Sequence, residues 1–157
     1  MEAGMHPFPH RYRAQARASA SGRVMVEAEG LPEIDTTAPP EFGGPPGYWS
    51  PETLLVAAIA DCFVLSFRAS ARASKLPWLS LTVDVDGVLD QVEGRAEFTR
   101  FTLSPRLAIA PGTSETLARG VLHHSKRLCL ITNSLSGTTE LATTVHVVAN
   151  AETAATT

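Results

Sequence analysis

The stretch from Ser50 to Ala73 constrains the fold more than any other part of the chain. Ser50 can cap a helix, Pro51 suits its first position, and Glu52 falls in the first turn, where the helix dipole favours an acid. From Leu54 to Ala60 the residues are apolar on nearly every face, so the helix must be covered on most sides. It is predicted to run to about Ala73, ahead of Pro77. A chain of 157 residues can build a real core around it, and we expect a single domain over 1–157. Its core is about 11–149, with a loose lead at 1–10 and a loose tail at 150–157.

The charges bound the partners. Lys and Arg number 13 against 16 Asp and Glu, and this lack of basic excess argues against nucleic acid. The apolar run is interrupted by Asp61 and flanked by Glu52, Arg68 and Arg72, and it reads as too short and too charged to span a bilayer, so no membrane partner is expected. The N-terminal residues lack the apolar core of a signal peptide, and the expected location is cytoplasmic. Two cysteines are too few for a disulfide scaffold, and no spacing suggests zinc.

Strand signals surround the helix. Residues 11–18 place Tyr12, Ala14, Ala16 and Ala18 on one face, and Val24, Val26 and Ala28 alternate beyond a Ser21-Gly22 turn. The two runs predict a hairpin, and Ile34 a third short strand. Residues 38–51 hold five of the eleven prolines and three of the eleven glycines, yet carry Phe42, Tyr48 and Trp49, which marks an ordered loop. Leu79, Leu81, Val83 and Val85 alternate with polar residues as a half-buried strand. A further strand is expected over 95–109, broken or at an edge at Pro105. A second helix is predicted over 114–128, with Leu117, Val121 and Leu128 near one stripe. A last strand is predicted from Thr138 to Val148. The order β-β-(β)-α-β-β-α-β predicts an α+β domain with a mostly antiparallel sheet on two helices.

Cys62 lies inside the first helix and Cys129 at the end of the second. The residues leave two readings open: buried thiols as small hydrophobes, or a redox couple. Glu52 is a helix-start acid or a carboxylate that orients an arginine. It stands ten residues from Cys62, roughly 15 Å along a straight helix, so a shared site requires a second chain. Asp61 opposes thiolate formation at Cys62 if it faces it. Arg68 and Arg72 read as helix-end residues. His123 and His124 point about 100° apart and make a poor chelate, so no metal site is expected.

Phe42-Gly-Gly-Pro, Trp49-Ser-Pro-Glu-Thr-Leu-Leu and Ala60-Asp-Cys-Phe63 resemble the signature of the OsmC/Ohr family of hydroperoxide-reducing proteins. The segment Cys129-Leu-Ile-Thr-Asn-Ser134 resembles the second signature, and the spacing of 67 (129 minus 62) also looks like the family's. The resemblance implies an OsmC-like fold: antiparallel sheets wrapped around central helices in an intertwined homodimer, with sites at the subunit interface. It implies a cofactor-free thiol peroxidase acting in oxidative stress defence. Cys62 resembles the peroxidatic cysteine, which an organic hydroperoxide oxidises to a sulfenic acid. Cys129 resembles the resolving cysteine that closes a disulfide with it. A dihydrolipoyl protein or small thiol then reduces the pair.

Glu52 matches the family's carboxylate. The partnering arginine of the best-characterised branch falls on Ala20 here, with Arg17 and Arg23 three residues to either side as substitutes, and Leu130 stands where proline is common. Leu55, Ile59 and Phe63 around Cys62, with Phe42 and Trp49 of the loop, are the expected apolar substrate contacts, suited to alkyl peroxides. The rival reading is a catalytically silent OsmC-like dimer that binds an apolar small molecule or a partner.

Overall fold

The computed structural model describes residues 5–149, so the expected tail falls outside it, as do the first four residues of the lead. The chain divides into two compact units, 1–54 and 55–157.

The first unit carries a three-stranded antiparallel sheet: β1 (Gln15–Arg17), β2 (Val24–Glu27) and β3 (Ile34–Thr36), in that order. The expected hairpin forms, with Arg17 opposite Met25 and Gly22 at φ 95° in the turn. Only three residues of the expected 11–18 strand pair, and all three are exposed. Alternating alanines offer too little apolar area to hold a longer strand down. The 38–51 loop is ordered by a 3-10 turn at Pro40–Phe42 and by a parallel bridge of Thr36 with Trp49. It ends in a reciprocal cap. Ser50 Oγ accepts from the Thr53 amide at 3.2 Å, while the Ser50 amide donates to Thr53 Oγ1 at 2.8 Å. That cap starts α1 (Pro51–Ala73) as the sequence predicts.

The second unit takes up α1 from Leu55. Ile59, Phe63, Phe67, Ser70 and Ala71 form its buried stripe at the three- and four-residue spacing of one helix face. Over Leu54–Ala60, where the sequence predicts covering on most sides, Ile59 is buried, Ala58 is exposed and the rest are half-buried, and beyond that stretch Leu65 is 53 % exposed. At 23 residues, with a mean hydropathy of 1.8 in its most apolar window, α1 is long and apolar enough to cross a membrane. This corrects the expectation from charge and length. Its packing marks it instead as a core helix: Ile59, Phe63 and Phe67 have no exposure.

After α1 come β4 (Ser80–Val92) and β5 (Arg95–Ile109), a long antiparallel hairpin turning at Glu93 (φ 50°) and Gly94 (φ 78°). Two consecutive positive φ values match a tight hairpin turn that follows the strand twist. Leu81, Val83 and Val85 are half-buried against exposed Thr82, Asp84 and Asp86, the alternation read from sequence. In β4, Gly87 lies where a Cβ would meet Val56 Cγ1 at 2.9 Å and Phe98 Cε1 at 3.0 Å, so helix and strand approach closely there.

Then follow α2 (Glu115–Leu128) and the single turn α3 (Leu130–Asn133). The buried stripe of α2 is Ala118, Val121, Leu122 and Ser125, while Leu117 and Leu128 are 41 % and 46 % exposed. The expected stripe was therefore rotated, because small Ala118 and Ser125 fill inward positions that hydrophobicity alone does not mark. The expected last strand splits into β6 (Thr138–Leu141) and β7 (Thr144–Val147). Both pair with β5 in parallel, since α2 returns the chain to the other end of the sheet. Pro105 does not break β5. It is fully buried, between the β6 ladder ending at Leu103 and the β7 ladder starting at Arg106, where its missing N–H costs no ladder bond.

The core of this unit joins the α1 stripe to Phe101, Leu103, Leu107 and Ile109 of β5 and to Ala118, Val121 and Leu122 of α2. Phe67 packs edge-on against Trp78, ring centroids 5.2 Å apart.

Candidate active site

Cys62 projects from the middle of α1, half-buried, one residue before fully buried Phe63. Cys129 has no exposure and joins α2 to α3, closing the first helix and opening the second. Although 67 positions apart, both thiols are free and lie near enough for Cys62 to act on the ionisation of Cys129. The folding of α1 and α2 onto one core brings them together.

The local electrostatics separate the two. Burial pushes the Cys129 thiol above its ordinary value, and the neighbouring Cys62 adds to the rise. Thr132 pulls the other way, through its hydroxyl and its amide. Thr132 is buried, and its hydroxyl also lies 3.0 Å from the Cys129 carbonyl, to which it donates. The structure turns Ser134 Oγ to the Leu130 carbonyl at 2.8 Å, and Thr132 is the hydroxyl at the thiol. A hydroxyl three residues after a helix-opening residue was the available signal.

The other candidates are placed as follows. Ile59 and Phe63 belong to the core, and Leu55 packs partly buried against it. Asp61, Arg68 and Arg72 are exposed on α1. His123 and His124 are exposed, and His124 Nδ1 is 3.0 Å from Arg127. Among the described residues, no group of three or more metal-ligating side chains gathers.

In the first unit, Arg17 reaches Glu33 at 3.0 Å and Glu27 at 3.6 Å. Arg23 pairs with Asp35 at 2.8 Å and lies over the Tyr48 ring, 5.5 Å from its centroid. Each arginine is therefore committed to acids of its own unit. Glu52, in the first turn of α1, borders an apolar cleft of about 460 Å³ with Val24, Val26, Thr36, Pro39 and Phe42. Its Oε2 is buried and has no hydrogen-bond partner among the described residues. Trp49 is 51 % exposed.

The fold is α+β, with one free thiol in the middle of α1 and a second at the junction of α2 and α3. Residues 44–144 match the family model described as OsmC-like protein, and the chain belongs to that family. It is 23 % identical over 106 residues to the uncharacterized protein YmaD of Bacillus subtilis (strain 168), covering 66 % of this chain and 71 % of that protein. An OsmC-like protein of unknown function from Vibrio cholerae O1 biovar eltor superposes with a TM-score of 0.75 at 23 % identity, covering 88 % of this chain and 100 % of that one. An organic hydroperoxide resistance protein, OsmC, from Legionella pneumophila superposes with a TM-score of 0.71 at 22 % identity, covering 90 % and 100 %. At these identities the superpositions establish the fold, which is the OsmC-like α+β fold expected from the sequence.

Proposed function

We propose that this chain is a cytoplasmic thiol peroxidase that reduces organic hydroperoxides, working as a homodimer in oxidative stress defence. The observation that carries the proposal is the meeting of Cys62 and Cys129. Two thiols so close, one half-buried and one fully buried, suit a sulfenic acid that is formed on the accessible sulfur and closed by its neighbour. The Legionella pneumophila relative, by its description an organic hydroperoxide resistance protein, supports the substrate class.

In the proposed cycle the Cys62 thiolate attacks the outer oxygen of ROOH. A sulfur–oxygen bond forms, the O–O bond breaks, and the alkoxide leaves as ROH after taking a proton. Cys129 then attacks the Cys62 sulfur, the S–O bond breaks, and hydroxide takes the Cys129 proton to leave as water. An external dithiol, such as a dihydrolipoyl protein, or a small thiol returns two electrons and two protons to the disulfide. Glu52 takes part from the second subunit, because the unbroken helix keeps it about ten residues' rise from its own Cys62.

The test is consumption of cumene hydroperoxide with dihydrolipoamide. Turnover is expected in the native chain and absent in Cys62→Ser. With no thiol reductant present, Cys129→Ser is expected to consume one equivalent of peroxide and then stall. Undiminished steady-state turnover in Cys62→Ser rejects the proposal.

A further inference from the structure

The cleft beside Glu52, about 460 Å³, is lined by residues of the first unit alone and has the size of an ordinary small-molecule site. Val24 and Val26 of β2, with Pro39 and Phe42 of the loop, give it apolar walls. Three of its lining residues carry polar side chains: Thr36, Thr37 and Glu52. Thr36 spends its hydroxyl on the Val24 carbonyl at 3.2 Å. Thr37 Oγ1 and Glu52 Oε2 are both buried, and neither has a hydrogen-bond partner among the described residues. The Thr37 backbone is held in place, since its amide donates to the Trp49 carbonyl at 3.0 Å. Glu52 is held by its place in the first turn of α1. Arg17 and Arg23 do not serve Glu52, because they pair with Glu27, Glu33 and Asp35. Burying an oxygen without a donor costs free energy, most of all in a carboxylate. A molecule that brings donors to both oxygens removes that cost.

We propose that this cleft binds a primary amine with an apolar tail. The ammonium donates to Glu52 Oε2 and Thr37 Oγ1, and the tail lies against Val24, Val26, Pro39 and Phe42. The number of donors selects the head group. A primary ammonium has three N–H donors and can meet both oxygens at once. An alcohol has one donor, a quaternary ammonium has none, and a carboxylate is repelled by Glu52. The bond from ammonium to carboxylate is charge-assisted, so it is the stronger of the two. The site does not draw on the thiols and adds a ligand to the chain beyond its proposed peroxide substrate.

The experiment is isothermal titration calorimetry of the full chain at pH 7 with hexylamine, which is protonated there as lysine is. Hexanol, hexanoate and hexyltrimethylammonium are the controls, with the same tail and other heads. Hexylamine is expected to bind about tenfold or more tightly than each of them. Every methylene added between butylamine and hexylamine is expected to tighten binding by about three- to fourfold, as burial of the tail requires. Glu52→Gln is expected to weaken hexylamine by about tenfold or more, and Thr37→Val by about two- to tenfold. Thermal unfolding without ligand checks that each variant folds; should Glu52→Gln not fold, Thr37→Val and the comparison of heads on the native chain decide. Equal affinity for hexylamine and hexanol, or hexylamine affinity unchanged in both variants, overturns the inference. So does a native chain that binds no hexylamine, the result expected if a second copy of the chain fills the cleft. No peroxide is present, so this outcome and that of the peroxidase test are separate.

Discussion

Gly87→Ala tests whether the approach of β4 to α1 sets the thiol pair. A Cβ at position 87 would lie 2.9 Å from Val56 Cγ1 and 3.0 Å from Phe98 Cε1, against an ordinary carbon contact of about 3.5–4.0 Å. Something must retreat by about half an ångström or more. Phe98 cannot do so freely, because it stacks on Phe101 at 5.2 Å and Phe101 is buried. Overpacking of this kind costs about 1–3 kcal/mol. The gain from replacing a strand glycine with alanine returns about 0.5–1 kcal/mol. The net expectation is a loss of about 1 kcal/mol, and at most about 2.5 kcal/mol, which is about 2–4 °C in Tm for the central value in a chain of this size. Val56 sits six residues before Cys62 on α1, so relief by tilting the helix would also disturb the fit of the two thiols. Thermal unfolding by circular dichroism reads the first effect, and the rate of disulfide closure after one equivalent of peroxide reads the second. Adding Val56→Ala removes the contact with Val56 Cγ1 and leaves that with Phe98, and the double variant is expected to lose less than the sum of the singles, with a coupling of about 0.5 kcal/mol or more. A Tm for Gly87→Ala at or above the native value, or strict additivity, would show that the close approach is not tight and the reasoning is wrong.

The alkaline limb of stability depends on Cys129. Its folded thiol holds a proton that the unfolded chain gives up near pH 8.5, so the folded state binds more protons above that pH. Stability is therefore full below about pH 8.5 and falls as pH rises through the higher folded value. Urea titrations from pH 7 to 10 are expected to show this fall and to show a flatter one in Cys129→Ala; equal slopes would count against it. The start of α2 depends on Ser114, whose Oγ accepts from the Leu117 amide at 3.2 Å. Ser114→Ala is expected to cost about 1 kcal/mol, while Ser114→Asp retains most of the stability; equal losses in both would refute the capping role.

Much of the frame was legible because its signals are local. Ser50-Pro51-Glu52 fixes the start of α1, alternation at Leu81, Val83 and Val85 fixes β4, and Ser21-Gly22 fixes the first hairpin. The errors lie where tertiary context decides. Pro105 reads as a break until β6 and β7 are known to leave a gap beside it. The split at 142–143 and the parallel pairing depend on where α2 delivers the chain, which no periodicity records. The inward face of α2 is carried by Ala118 and Ser125, small residues that a hydrophobic count passes over. In the site, the likeness at Cys62 and Cys129 pointed to two residues, but Thr132 emerged only when the turn after Cys129 had a geometry. Arg17 and Arg23 could not be assigned by counting from Ala20, because the acids they meet, Glu27, Glu33 and Asp35, lie on other segments of the first unit.

The parallel return of β6 and β7 to β5 has a consequence for assembly during synthesis. Arg100 pairs with Thr138, and Ile109 with Val147, so the second edge of β5 stays open until residues 138–147 have left the ribosome. Cys129 lies between those strands and β5 in the sequence, on the segment that must dock for the edge to close. A nascent chain thus carries its first sulfur for many residues before the second arrives, and the second in turn emerges ahead of the two strands that close the sheet.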